Sequence, residues 1–135
     1  MRIEYSKSYA IDDDTDRMPL LAVTLSMGDH SVDVIGLVDS GSMVSVIPYS
    51  VGLALGAVWD NRRVTMTLAG AFGGLPAIPL AIVTRIGDLS PVNLVFLWSN
   101  RDNIRVIFGE YNFFQEFDVH FYRSQFEFEI NPKSK

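Results

Sequence analysis

The chain reads as a series of short β-patterned segments. Leu20 to Ser26 is an apolar-rich run, Met27-Gly28-Asp29-His30 is a turn signal, and Ser31 to Val38 alternates at Val32 and Val34 before turning wholly apolar. Successive strand residues point to opposite faces, so this pattern predicts an antiparallel hairpin. Arg63 to Ala69 alternates Val64, Met66 and Leu68 against Arg63, Thr65 and Thr67, and Leu75 to Arg85 alternates again at Ile78, Leu80 and Ile82. These predict a second hairpin across Gly70-Ala71-Phe72-Gly73-Gly74. Further strands are expected over Val44 to Ile47, Val92 to Trp98 and Ile104 to Phe108, the last two joined by Ser99 to Asn103. Val119 to Tyr122 and Gln125 to Ile130 predict a final hairpin across Arg123-Ser124. Helical signals are short: Pro48 opens one helix that runs to Leu53 or Leu55 before Gly56, and Glu110 to Phe117 reads as two turns. Met1 to Ala10 alternates weakly and predicts an edge strand or an arm. Without repeats or a linker, the pattern implies one mostly-β, closed barrel-like domain over 1–135, with an N-terminal arm and acidic loop over 1–18 and a frayed tail over 131–135.

Composition narrows the function. A chain of 135 residues with 48% hydrophobic and 20% charged positions supports one sound core. It contains no cysteine, which removes disulfides and thiolate metal sites and fits a reducing compartment. A net charge of -5 with scattered basic residues argues against nucleic acid, which needs a concentrated positive face. The longest apolar runs, Leu75 to Val83 and Val92 to Trp98, are too short for a bilayer, and Met1 to Asp16 lacks the apolar core of a secretory signal. A cytoplasmic protein without membrane association is expected. Asp12, Asp14 and Asp16 match the start of a calcium loop, but Arg17 and Val23 stand where that template needs Gly and Glu, so a solvated loop and no metal are expected. His30 and His120 have no partner motif. Trp59, Trp98, Phe113, Phe114 and Phe117 read as core or interface.

The candidate chemistry lies at Asp39-Ser40-Gly41, where an apolar strand delivers one carboxylate to a sharp turn. Taken alone, Asp-Ser-Gly is either turn chemistry or a catalytic acid. Three further features surround it: Val44-Ser45-Val46-Ile47-Pro48 directly after, the glycine-rich connection at 70 to 74, and Val106-Ile107-Phe108-Gly109 leading into a helical pattern. The glycine-rich connection lacks the Lys and Ser/Thr of a phosphate loop and leads into a strand. In order and spacing, these features resemble the retroviral-type aspartic proteases, the retropepsin-like family, from about Leu20 to Ile130.

That resemblance implies an acid-protease fold and a peptide or protein substrate, with no cofactor. It assigns catalysis to Asp39, with Ser40 bonding across the axis of a symmetric homodimer and Gly41 beside the attacking water. Gly70, Ala71, Phe72, Gly73 and Gly74 would form a flap over the peptide, and Gly109 would support the catalytic loop. Two carboxylates sharing a proton can activate water and polarise a peptide carbonyl. This chain carries one Asp-Ser-Gly, so two copies are expected to pair their Asp39 side chains. The resemblance also breaks down at one point: viral members place Arg after the Gly109 position, paired with an Asp, where this chain has Glu110 and Met43. That departure points to a cellular, bacterial relative with a differently braced loop. Two alternatives stay open: a peptide-binding or dimerisation module of the same fold without activity, and an unrelated β-barrel binding domain whose glycine-rich loop is a ligand lid.

Overall fold

A computed structural model of the protein describes residues 1–7, 17–69 and 73–134. The chain is mostly β with two short α-helices. The strands in order are β1 (Arg2–Glu4), β2 (Ser6–Lys7), β3 (Arg17–Met18), β4 (Leu20–Met27), β5 (His30–Val38), β6 (Val46–Ile47), β7 (Met66–Leu68), β8 (Leu75–Arg85), β9 (Val92–Ser99), β10 (Val106–Phe108), β11 (Phe117–Tyr122) and β12 (Glu127–Pro132). Helix α1 (Tyr49–Ala54) follows β6, and α2 (Phe113–Glu116) precedes β11. The expected acidic loop at Asp12 to Asp16 lies outside the described residues.

The main sheet has the order β4-β5-β10-β6-β9-β8-β7, and an additional β4–β8 pairing closes it into a ring. Within it, β4 and β5 form the expected hairpin, in register from Leu20↔Leu37 to Met27↔His30. Strand β10 lies parallel to β5 on one side and antiparallel to β6 on the other. Phe96, Trp98, Phe108 and Phe113 are fully buried inside the ring. Trp98 stacks on Tyr49 with ring centroids 5.6 Å apart and donates its indole N–H to the Tyr49 carbonyl at 3.0 Å, which fastens α1 to β9 and satisfies a buried donor. A smaller cluster of Val46, Leu68, Ala77, Leu97 and Ile107 fills the space where β6, β7, β8, β9 and β10 meet.

A second sheet, ordered β1-β12-β11, buries Phe128 and Ile130 in the main core. Here the edge-strand reading of the N-terminus holds for Arg2–Glu4. The segment expected to fray is partly ordered: Asn131 and Pro132 belong to β12, and Lys133 pairs with Glu116 at 3.0 Å. Other boundaries moved as well: β6 covers only Val46–Ile47, β10 starts at Val106 and not Ile104, and β12 starts at Glu127 after a 3-10 turn at Arg123–Gln125. Asn61–Arg63 is a 3-10 turn, capped where the Asp60 carboxylate accepts the Arg62 N–H, so β7 starts only at Met66. Helix α2 begins at Phe113 because Glu110 and Tyr111 are bonded to the segment after Asp39.

Candidate active site

Asp39 is the residue immediately after β5. Its N–H donates to the Phe108 carbonyl at 2.9 Å, which extends the β5–β10 pairing to the acid itself. The chain then turns, with the Ser42 N–H donating to the Asp39 carbonyl at 3.2 Å. Within this turn the Gly41 N–H donates to Asp39 Oδ1 at 2.9 Å. A backbone donor aimed at a carboxylate fixes its rotamer. The Asp39 side chain is half-buried, and Oδ2 accepts no hydrogen bond among the described residues. One oxygen is therefore held by the loop and the other is open for proton chemistry.

The loop is braced from below by the chain that follows β10. Glu110 N–H donates to the Ser42 carbonyl at 2.8 Å, Tyr111 N–H to the Met43 carbonyl at 2.9 Å, and Ser45 N–H to the Tyr111 carbonyl at 2.9 Å. Gly109 N–H donates to the buried Ser45 Oγ at 3.0 Å. Gly109 itself fits only because it lacks a side chain: a Cβ there would overlap the Val44 carbonyl and stand 2.8 Å from the Ser42 oxygen. Ser42 Oγ also donates to the Val44 carbonyl at 2.7 Å. Glu110 and Met43 thus hold this loop through their main chains, and the Met43 side chain is 75% exposed.

Asp39, Ser40, Gly41 and Gly109 are therefore brought together. Gly73 and Gly74 form the turn between β7 and β8, both with positive φ, +65° and +79°, and the Gly74 N–H donates to the Leu68 carbonyl at 2.7 Å. Side chains other than glycine are strained in that conformation, so these two glycines are matched to the turn they make. Gly70, Ala71 and Phe72 lie outside the described residues.

The chain matches no family model and no curated protein.

One cleft borders the Asp39 loop and another lies on the strand that leads to it. The first, about 420 Å³, is almost wholly apolar and is lined by Val44 and Tyr111 from the loop and its brace, Met66 from β7, and Pro79, Val95 and Leu97. It joins the acid loop to the strand that leads into the glycine-rich turn. The other, about 280 Å³, lies along β5 and is lined by Lys7, Leu20, Ile35, Leu37 and Arg105. A larger cleft of about 640 Å³ starts from the same Ile35 but extends away from Asp39 over Thr24, Asp33 and Arg85. Among the described residues, no three His, Asp or Glu side chains gather in a group that could hold a metal ion, and no helix is long and apolar enough to cross a membrane.

Two residues that matter here were not singled out by sequence reasoning. Ser45 was read only as part of a buried strand, although a lone hydroxyl in the run Val44-Ser45-Val46-Ile47 needs a partner and so signals a specific bond. Asn112, whose Oδ1 accepts the Val95 N–H at 2.8 Å, ties the same brace to β9, and its sequence context carries no signal of that role.

Proposed function

We propose that the protein is a homodimeric aspartic endopeptidase of the retropepsin-like fold. The observation that supports this most directly is the Asp39 carboxylate, pinned through Oδ1 by the Gly41 N–H at the end of a strand whose loop is bonded to β10 and the residues after it. Rigid support of this kind is what an acid-base group requires, because proton transfer is efficient only from a fixed position. With one such acid per chain, the second carboxylate comes from a second copy. One Asp39, ionised, takes a proton from water while the other, protonated, polarises the scissile carbonyl. Because the mechanism needs one carboxylate charged and the other protonated, a bell-shaped rate profile is expected.

The apolar cleft of Val44, Met66 and Tyr111 suits an apolar side chain of an extended peptide. A chain without cysteine suits the reducing cytoplasm. Glu110 and Met43 favour a second reading, a module of the same fold that binds peptide or dimerises without cleaving it, since they stand where viral members carry an ion pair.

Incubating the protein and its Asp39→Asn variant with a mixed peptide library from about pH 3 to 8 tests the proposal. Cleavage is expected to fall roughly 10²–10⁴-fold in the variant, the usual worth of a positioned acid-base group. Undiminished cleavage by Asp39→Asn, or an active monomer in sedimentation-matched assays, would remove the two-carboxylate mechanism. Binding without cleavage would favour the second reading.

A further inference from the structure

The face of β5 that ends at Asp39 carries more than the acid. Strand alternation puts Ile35 and Leu37 on the same side as Asp39, and Ile35 is 65% exposed. Leu20 stands opposite Leu37 on β4, which widens the apolar strip. Arg105 directly precedes β10, and since Val106 is in parallel register with Gly36, it falls beside Ile35. With Lys7, these residues line the 280 Å³ cleft on the strand that ends at the candidate acid.

Arg105 is the unusual member. It is half-buried, and among the described residues its side chain has one polar contact, Nη1 to Met18 Sδ at 3.6 Å. Among the described residues no carboxylate lies within ion-pair distance of it. A guanidinium partly withdrawn from water, with a sulfur in place of an anion, leaves most of its planar set of donors unmatched.

We propose that this cleft is a specificity subsite for a glutamate side chain of the bound peptide. Arg105 receives the carboxylate, and Leu20, Ile35 and Leu37 cover the methylenes, which favours glutamate over the shorter aspartate. The inference rests on the reading of Asp39 as the centre of a peptide site.

The test uses the full chain in two arms. In the first, Asp39→Asn and Asp39→Asn/Arg105→Gln are titrated with fluorescent peptide pools that differ only in carrying Glu, Gln or Lys. In the second, wild type and Arg105→Glu digest the same pools. Arg105→Gln keeps two of the three stem methylenes, so it limits failure through lost packing. Glu-containing peptides are expected to bind and be cut about tenfold better than their Gln counterparts, as a charge-assisted bond implies. That ratio should fall towards one in Arg105→Gln and invert towards Lys in Arg105→Glu. A Glu-to-Gln ratio near one in the parent, or one that Arg105 variants leave unchanged, overturns the subsite while cleavage itself upholds Asp39. Glu-selective binding without any cleavage upholds the subsite and sinks the peptidase. No binding of any pool overturns both.

Discussion

Ser45 offers the sharpest test of how the Asp39 loop is held. The residue is fully buried between that loop and β6, and its Oγ accepts the N–H of Gly109, itself buried. Ser45→Ala deletes the acceptor and leaves that donor where water does not reach. An unpaired buried donor is worth about 1–3 kcal/mol of destabilisation, and alanine recovers a little by burying no hydroxyl, so a loss of about 1–2 kcal/mol is expected. The main-chain bonds from Ser45 N–H to Tyr111 and from Leu97 N–H to Ser45 remain, so the fold survives. With a urea slope of about 2 kcal/mol/M, the midpoint drops by about 0.5–1 M. Hydrogen exchange at the Gly109 amide supplies a local readout, which should accelerate more than at core strands such as β9. An exposed control, Ser90→Ala, should change stability by less than about 0.5 kcal/mol. A Ser45→Ala midpoint within about 0.2 M of the parent, together with unchanged Gly109 exchange, would refute the claim that this bond braces the loop.

Gly109→Ala is expected to be worse than Ser45→Ala, by about 3 kcal/mol in total, because the new methyl meets the Val44 and Ser42 carbonyls, which are backbone and already committed to bonds. Thermal melting checks it, and a variant that melts with the parent would mean the two segments are further apart than described. In the second sheet, the Asn131 amide at 2.9 Å and the Tyr122 hydroxyl at 3.1 Å hold the Glu129 carboxyl below its usual range. A lowered carboxylate supports the fold above the unfolded glutamate value of about 4.3 and loses that support as pH falls through the lower folded value. Asn131→Ala should therefore raise the Glu129 pKa and soften the acid-side decline in stability. An NMR titration in which Glu129 does not move would refute this.

Much of the ring was legible because its long strands are half-exposed. Strand β8 runs from Leu75 to Arg85 as expected, since alternating burial writes period two into the sequence. The β4–β5 hairpin was equally plain, with its turn marked by Gly28-Asp29. Short elements around the acid were not, because their form is decided by distant partners. Val46–Ile47 is a two-residue strand held between β9 and β10, and nothing local sets its ends. Glu110 and Tyr111 belong to a helical pattern, yet their N–H groups serve the Asp39 loop, and tertiary bonding overrode propensity. Asp39, Gly41 and Gly109 stand out in the sequence through their motif, whereas Arg105 does not: an arginine before a strand becomes notable only once the described residues show no carboxylate within ion-pair distance of it.

The brace on the acid loop also constrains when it can exist. Ser45 and Gly109 are 64 positions apart, and the β5–β10 pairing spans a similar stretch of chain. Contacts of such high separation close late, after the entropy of a long loop has been overcome. During synthesis, Asp39 leaves the ribosome well before the segment that fixes it, so a nascent or truncated chain has its acid but no framework for it. Assembly of the Asp39 loop is thereby coupled to synthesis of the chain as far as Tyr111.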